Sequence, residues 1–153
     1  MNVEVRDSKY SDINQLVTTI RDKDKEEVRK LGSTPRQALL TSYRNSYIRR
    51  TGLVDGKVAA MWGVAGPLTS IVGSPYLLTG IEFEKVQPLK IVRLYGAEVR
   101  QILQLFPSLE VLVDQSYHES INLMKLVGFS IEKTVYVGKE NYLFVKMVAG
   151  QHE

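Results

Sequence analysis

The chain has 153 residues, a formal net charge of +3, 44% hydrophobic residues and 24% charged residues. This length and composition are typical of one globular domain with a substantial core, and they exclude a disordered chain. The sequence contains no cysteine, which excludes disulfides, zinc–thiolate sites and a cysteine nucleophile. No apolar run approaches the roughly 20 residues that a membrane-spanning helix needs. We also expect no secretory signal, because the opening stretch MNVEVRDSKY is largely polar.

The N-terminal part of the sequence combines a strand with helical segments. Alternating apolar and polar residues predict the strand, and apolar residues at spacings of three and four predict the first helix. A threonine followed by proline predicts the start of a second helix. Between the helices, the charged run over residues 21–30 predicts a solvated helix end or a loop. In chain order, the predicted elements are a strand at Val3–Arg6, a helix over residues 13–20 capped by Ser8 or Ser11, and a helix from Thr34-Pro35 to about Asn45.

The rest of the sequence predicts a β-meander followed by alternating helices and strands. Asp55-Gly56 is a strong hairpin signal between two apolar strands. Pro107 ends the long helix, and Gly128 is a natural left-handed end for the last helix. In chain order, the predicted elements are strands at Tyr47–Val54, Lys57–Ala65 and Pro75–Phe83, a helix at Gln87–Phe106, a strand at Leu109–Val113, a helix at Ser116–Val127, and strands at Ile131–Val137 and Tyr142–Val148.

This element order predicts an α/β fold, with a mixed sheet of roughly six or seven strands, about four flanking helices and one parallel crossover. No repeat or linker divides the sequence, so we expect one domain over residues 1–149 and a short tail over residues 150–153. The nearly continuous apolar run at Leu109–Val113 is expected inside the sheet. The strand at Tyr142–Val148 is instead a candidate edge for pairing with a second copy, as a homodimer.

The segment VLVDQSYHESINLMKLVGF, Val111–Phe129, resembles the GNAT superfamily of acyl-CoA-dependent N-acyltransferases. In that superfamily a central strand is followed by a helix, and the helix ends in a Gly-Phe pair that starts the next strand. Gly128-Phe129 and the strand at Tyr142–Val148 fit this pattern, as do the opening strand and helix and the Asp55-Gly56 hairpin. The resemblance therefore covers most of the chain and implies a GNAT-like fold.

Three segments also resemble the small GNAT-like proteins of short-tailed bacteriophages, some of which are internal virion proteins. These segments are VRDSKYSDI, VDGKVAAMWGV and SINLMKLVGF. This narrower resemblance implies a virion- or infection-associated role. It also implies phage or host proteins as partners and a location in the virion or the host cytoplasm.

The superfamily resemblance implies a coenzyme A site whose diphosphate lies at the start of the long helix, on a Gln/Arg-x-x-Gly-x-Gly/Ala loop. The sequence QPLKIVRLYGAEVRQIL offers Arg93, Gly96 and Ala97 for that site, but Glu98 stands where the second small residue belongs. A carboxylate there would repel phosphates, and the segment continues a helical pattern. We therefore expect no cofactor, or acetyl-CoA if the protein is an enzyme.

The resemblance also implies an acid for the leaving thiolate and a base for the attacking amine. Met124 occupies the position of the usual tyrosine and cannot donate a proton, which leaves Tyr117 as the candidate acid. The candidate bases are Glu82 and Glu84, which alternation along a strand would place on one face. Each candidate has a structural alternative, since Tyr117 also suits half-buried packing and the glutamates also suit a solvent-facing strand.

Other residue groups are less informative. Two separated histidines, His118 and His152, without any cysteine do not predict a metal site. Asp114 or Ser116 next to His118 is better explained as a helix cap than as part of a triad. Trp62 is best explained as a core residue. A basic-aromatic patch suits either nucleic acid or an ordinary amphipathic surface, and its residues are Tyr43, Arg44, Tyr47, Arg49 and Arg50.

The sequence thus leaves three hypotheses open. The first is a GNAT-fold interaction or virion component without a working coenzyme A site. The second is an active N-acetyltransferase that modifies a host or phage amine with a shifted acid and base, such as Tyr117 and Glu82. The third is a nucleic-acid-associated factor.

Overall fold

A computed structural model describes residues 1–151 of the chain, so His152 and the end of the predicted tail lie outside the described residues. The strands are β1 Val3–Asp7, β2 Ser46–Val54, β3 Lys57–Ala65, β4 Val72–Thr79, β5 Ser108–Asp114, β6 Ser130–Val137 and β7 Tyr142–Gly150. The helices are α1 Tyr10–Thr19, α2 Asp22–Lys30, α3 Pro35–Asn45, α4 Pro88–Leu105 and α5 His118–Leu126, with a short 3-10 helix at Ile81–Lys85.

The seven strands form one mixed sheet in the order β1-β2-β3-β4-β5-β7-β6. All neighbours are antiparallel except β4 and β5, which are parallel, so the predicted mixed α/β fold is confirmed. The prediction that β7 is an edge strand is wrong. Phe144, Val145 and Met147 are buried in β7, whereas β6 is largely exposed and forms the edge. The apolar residues of β7 explain its place beside β5, inside the sheet.

The two largest hydrophobic clusters of the described residues cover the two faces of the sheet. On one face α4 and α5 pack on the central strands, with Trp62, Val99 and Phe106 among the buried residues. On the other face α1 and α3 pack around Leu16, Leu39 and Met61. Trp62 is therefore a core residue, as predicted, and Met124 is buried in the same core. No helix within residues 1–151 is both long and apolar enough to cross a membrane.

Local turn chemistry accounts for several element boundaries. Asp55 and Gly56 have φ values of 49° and 80°, the left-handed conformations that a two-residue hairpin turn requires. Thr34 Oγ1 accepts the N–H of Gln37 at 3.2 Å and caps α3, as predicted. Gly128, with a φ of 112°, follows the end of α5. These signals are local in sequence, which is why they were predictable.

The structure corrects the sequence predictions at two caps. Lys9 rather than Ser8 or Ser11 precedes α1, because Asp12 accepts the N–H of Lys9 at 2.8 Å and closes the first turn. Tyr117 rather than Asp114 or Ser116 occupies the N-cap position of α5. The side chain of Asp114 instead accepts bonds from Ser116 in the turn that precedes the helix.

Two larger corrections concern the charged run and the third strand of the meander. The run over residues 21–30 forms the helix α2, because Asp24 and Val28 are buried against the sheet. This gives five α-helices in the described residues rather than about four. The third strand covers Val72–Thr79, earlier than the predicted Pro75–Phe83, and the chain then turns into the 3-10 helix. Gly80 contacts α1 closely, since an added Cβ would lie 2.9 Å from Thr19 Oγ1.

The parallel pair β4 and β5 opens towards one end of the sheet. The strands pair only at Val72 with Ser108 and at Gly73 with Leu109. Beyond these pairs they separate, and their last residues, Thr79 and Asp114, have no pairing between them. This strand opening faces α2, α4 and α5, and it positions the candidate site.

Candidate functional site in the strand opening

A cavity of about 320 Å³ lies at the strand opening between β4 and β5. Its walls come from α2, the end of β4, the 3-10 helix, the start of α4 and α5, and they combine an apolar side with a polar side. The apolar side includes Leu77, Ile91 and Leu123. The polar lining residues are Arg21, Asp24, Glu27, Thr79, Tyr117, Glu119, Ser120 and Asn122.

Two carboxylates of α2 bind the ends of β4 and β5 on the sides that face the strand opening. Asp24 Oδ2 accepts the N–H of Thr79 at 2.6 Å and also its hydroxyl. Glu27 Oε2 accepts the N–H of Asp114 at 2.9 Å. Residues three apart lie on the same face of a helix, so one face of α2 supplies both acceptors. Buried peptide N–H groups need partners, and these side chains replace the strand pairing that is missing.

Burial gives these carboxylates unusual proton affinities. Burial raises the pKa of Glu27 to about 7, and the nearby charges of Asp24 and Asp114 act in the same direction. Burial also raises the pKa of Asp24. A group whose pKa is near 7 can accept and release a proton at neutral pH, as a general base must. Glu27 is therefore the lining residue whose proton affinity best suits acid–base chemistry.

Arg21 links the polar side of the cavity to three other elements. Its Nε donates to Thr79 Oγ1 at 2.8 Å, its Nη2 to the Tyr117 hydroxyl at 2.7 Å and its Nη1 to Glu119 Oε1 at 3.0 Å. The guanidinium also lies 5.1 Å from the centre of the Phe83 ring. Because its hydrogen bonds go in several directions, Arg21 fixes the start of α2 against β4 and α5.

Tyr117 lies at the cavity wall, with only 4% of its surface exposed. Burial raises the pKa of its hydroxyl, and the nearby Asp24 carboxylate adds to the shift, although Arg21 opposes it. The tyrosine therefore keeps its proton at neutral pH. The structure places it in the wall of the same cavity as Glu27 and Asp24. His118, the next residue, is exposed.

The structure places Glu82 and Glu84 in the 3-10 helix, so the prediction that a strand holds them on one face is wrong. Glu82 is buried and pairs with Lys85 Nζ at 2.7 Å. The Glu84 side chain is 62% exposed and lies 3.9 Å from Arg21 Nη1. Neither is among the described residues that line the strand-opening cavity. The strand ends at Thr79, whose N–H donates to Asp24 of α2, and the Phe83 N–H then donates to Gly80 O in the 3-10 turn.

Arg93, Gly96 and Ala97 lie inside α4 rather than at its start. Arg93 and Ala97 are exposed, and Gly96 is buried with Val127 nearby. Their peptide N–H groups belong to the body of the helix, where intrahelical bonds use them. Thus the three residues do not form a loop with free N–H groups, in agreement with the continuous helical pattern of the sequence.

The prediction that the Glu98 carboxylate repels a bound diphosphate is wrong, because of where the side chain lies. Glu98 faces the sheet, where its Oε2 lies 3.5 Å from Arg50 Nε. A helix rises about 1.5 Å per residue, so Glu98 is roughly 15 Å from the start of α4 at Pro88. What the helix start lacks is glycine. The first turn begins with Pro88, and the N–H groups of Lys90 and Ile91 both donate to Gln87 O, at 3.0 and 3.1 Å.

Two of the three arginines in the basic-aromatic patch already have partners within the protein. Arg50 bonds to Asp7 at 2.6 Å and also faces Glu98. The Arg49 guanidinium lies 4.2 Å from the centre of the Tyr43 ring and donates to the Tyr43 carbonyl at 3.1 Å. This arrangement favours an ordinary amphipathic surface over a phosphate site. Within residues 1–151 there is also no cluster of three or more metal-ligating side chains.

No family model matches the sequence, and no curated protein matches it. The structure, in contrast, is similar to solved acetyltransferases. One is the aminoglycoside acetyltransferase AAC(6')-Ib in complex with coenzyme A, with a TM-score of 0.69 at 14% identity, covering 98% of this chain and 95% of that chain. Another is the ribosomal-protein-S18-alanine N-acetyltransferase from Escherichia coli, with a TM-score of 0.66 at 13% identity, covering 97% of this chain and 94% of that chain.

A third similar structure is an acetyltransferase of the GNAT family from Streptococcus pneumoniae, with a TM-score of 0.65 at 14% identity. It covers 98% of this chain and all of that chain. Likenesses at such low identity define the fold and nothing finer. The protein has the GNAT fold, which confirms the fold predicted from the sequence.

Proposed function

We propose that this protein is an N-acyltransferase that transfers an acyl group from an acyl-CoA thioester to an amine in the strand-opening cavity. The observation that carries the proposal is Glu27, a cavity-lining carboxylate whose pKa is raised to about 7. The GNAT fold supports the same class of reaction. An acidic wall formed by Asp24, Glu27 and Glu119 also suits the positive charge of an amine before it loses its proton.

In this proposal the amine nitrogen attacks the thioester carbonyl carbon. The new C–N bond forms as the C–S bond breaks, the amine gives a proton to Glu27, and the sulfur leaves as a thiolate. The thiolate takes a proton from water, and Glu27 returns the amine's proton to the solvent. The raised pKa of Tyr117 makes full proton release unfavourable. We therefore assign Tyr117 a hydrogen-bonding role towards the charge that develops on the reacting group, with Arg21 fixing its hydroxyl at 2.7 Å.

The cavity residues suit the thioester end of an acyl-CoA better than they suit its nucleotide end. The apolar wall between α4 and α5, with Ile91 and Leu123, suits the uncharged arm that carries the thioester. The start of α4 offers the diphosphate little, because Pro88 has no N–H and those of Lys90 and Ile91 are used. The Leu89 N–H and the exposed Lys90 side chain are the groups that remain in this turn. We expect weak binding of the nucleotide end.

The test compares three glutamates, since Glu82 and Glu84 remain alternatives for the base. In the proposal, Glu27→Gln lowers kcat/KM about 10²- to 10⁴-fold, whereas Glu82→Gln and Glu84→Gln stay within about twofold. The wild-type kcat/KM should rise with pH through about 7, as Glu27 loses its proton. An unchanged rate and pH profile in Glu27→Gln would remove Glu27 from this role.

A second candidate function is an interaction component that does not bind acyl-CoA. The glycine-free start of α4 at Pro88 is the observation that favours it. Its partners would be phage or host proteins, and its location the virion or the host cytoplasm. Calorimetry with acetyl-CoA separates the two candidates. Binding tighter than about 100 μM favours the enzyme, and no heat at about 1 mM favours the interaction component.

A further inference from the structure

A second, smaller cavity adjoins the strand-opening cavity on its apolar side. It has a volume of about 50 Å³ and lies under β1, β2 and β3 against α4. Apolar side chains such as Val54, Ala60 and Leu94 line it. Leu77, Phe83 and Ile91 line both cavities, so these three side chains form a shared wall between them.

The chemistry of the small cavity selects hydrocarbon. No charged residue is among its described lining residues, and only the aromatic residues Trp62 and Tyr95 carry polar side-chain atoms. Those atoms, Trp62 Nε1 and the Tyr95 hydroxyl, are buried without hydrogen-bond partners. Neither atom presents surface to the cavity, and water needs two or more polar partners to be stable in such a space. A hydrocarbon chain is stabilised there, because its apolar surface is removed from water.

The position of the small cavity relative to the reacting groups indicates which hydrocarbon it receives. Asp24, Glu27 and Glu119 line the polar side of the larger cavity, whereas the shared wall belongs to its apolar side. A thioester carbonyl beside Glu27 and Tyr117 would therefore direct its acyl chain towards Leu77, Phe83 and Ile91 and away from the carboxylates. Rotation of the partly exposed Phe83 side chain would connect the two cavities.

We propose that the small cavity receives the distal part of the donor's acyl chain, so that the donor is a straight-chain acyl thioester longer than acetyl. A volume of about 50 Å³ holds roughly three to five groups of the size of water or methylene, at about 10–15 Å³ each. The chain that fits has about four to six carbons. This inference rests on the proposed acyl transfer and specifies its donor.

The experiment measures kcat/KM for acetyl-, butanoyl-, hexanoyl- and decanoyl-CoA with one amine acceptor, on the full chain. Each buried CH₂ favours binding about fourfold, and hexanoyl has four more carbons than acetyl, so hexanoyl-CoA should exceed acetyl-CoA by about 250-fold when all four are buried. Decanoyl-CoA should gain nothing beyond hexanoyl-CoA. Ala60→Leu fills the cavity and should bring the hexanoyl-to-acetyl ratio towards one. Ala38→Leu, at a partly buried alanine on α3 against the opposite core, should keep the ratio of the wild type.

A direct binding measurement separates the two proposals and does not require Ala60→Leu to fold. Methyl NMR of the wild-type chain with hexanoyl-CoA should shift the signals of Ala60 and Leu94, whereas acetyl-CoA should not. Such shifts without turnover of any donor would support the cavity assignment and contradict the proposed acyl transfer. Transfer of acetyl in preference to hexanoyl, or a hexanoyl preference that persists in Ala60→Leu, would overturn the cavity assignment and leave the acyl transfer intact.

Discussion

Glu27 of α2 accepts the peptide N–H of Asp114 at 2.9 Å, across 87 residues of sequence. Asp24, on the same helix face, does the same for Thr79 at 2.6 Å. A single short helix therefore binds the ends of two strands that have separated from each other. The arrangement places two carboxylates in the wall of the strand-opening cavity, and the shape of that cavity therefore depends on the position of α2.

The stability of the protein should depend on the protonation of Glu27. Burial raises its pKa from 4.5 to about 7. A group whose pKa is raised by folding stabilises the folded protein fully at pH values below its pKa in the unfolded chain. This stabilisation is lost as the pH rises through the pKa of the group in the folded protein. Between pH 5 and pH 8 the wild type should lose about 2–3 kcal/mol relative to Glu27→Gln. Urea unfolding of both proteins at the two pH values measures this difference.

The matched control for that experiment is Glu26→Gln. Glu26 is the neighbouring residue on the exposed side of α2, so its substitution should change stability by no more than about 0.5 kcal/mol at either pH. Equal pH dependence in the wild type and Glu27→Gln would show that Glu27 does not carry the raised pKa.

Asp12 should show the opposite dependence on pH. It is 1% exposed and accepts two bonds from Arg6, at 2.8 and 2.9 Å. Burial alone would raise its pKa, but the bonds from Arg6, Lys9 and Thr51 outweigh burial and lower it. A group whose pKa is lowered by folding stabilises the folded protein at pH values above its pKa in the unfolded chain. This stabilisation is lost as the pH falls through the pKa of the group in the folded protein.

Asp12→Asn should therefore cost about 3 kcal/mol at pH 7, since it leaves the Arg6 guanidinium without its anionic partner. The cost should shrink as the pH falls below 3.8, the ordinary pKa of the group. Unfolding free energies at pH 7 and at the lowest pH where both proteins fold test this. A cost that stays constant with pH would contradict the charged pairing.

Gly63→Ala should be strongly destabilising. An added Cβ at this position in β3 would lie 2.0 Å from the Ile48 carbonyl oxygen and 2.9 Å from the Tyr76 hydroxyl. The Ile48 carbonyl belongs to the backbone of β2 and cannot move away alone, so β2 and β3 would have to separate to admit the methyl group. We expect a loss of about 3 kcal/mol or more, measured as a fall in the midpoint of thermal or urea unfolding. A loss below about 1 kcal/mol would mean that β2 can shift at little cost.

Gly96→Ala should instead stabilise the protein. The added Cβ would meet Arg100 Nη1 at 3.6 Å and Val127 Cγ1 at 3.8 Å, which are ordinary contacts. Alanine in a helix interior is favoured over glycine by about 0.5–1 kcal/mol. Calorimetry should also show unchanged acyl-CoA affinity. A loss of affinity on this substitution would restore Gly96 to the coenzyme-binding role that the sequence pattern suggested.

The fold was predictable because its signals are local. The hairpin at Asp55-Gly56, the cap at Thr34 and the stop at Gly128 each depend on a few neighbouring residues, and the structure confirms all three. Periodic apolar residues likewise identified most strands and the helices α1, α4 and α5, and the Thr34-Pro35 start identified α3. The exceptions are elements with distant contacts, such as the end of β4, where the Thr79 N–H donates to Asp24 of α2 from 55 residues away.

The candidate site was largely missed for the same reason. Arg21, Asp24 and Glu27 lie in a run of mixed charge, and such runs usually form solvated surface. The available signal was the apolar Val28 among those charges, with Asp24 four residues before it on the same face. Nothing in the sequence shows that this face meets the separated strand ends. Tyr117, in contrast, was identified as a candidate, and it lies in the cavity wall.

The amide protons of Thr79 and Asp114 are held by side chains of α2 rather than by a neighbouring strand. In deuterated water both should exchange together, at the rate at which a helix of nine residues detaches from the sheet. Amides of the same strands that bond to β3 or β7 should exchange far more slowly, because they are released only when the sheet itself opens. Deuterium uptake at two positions would thus report the motion of the entire helix.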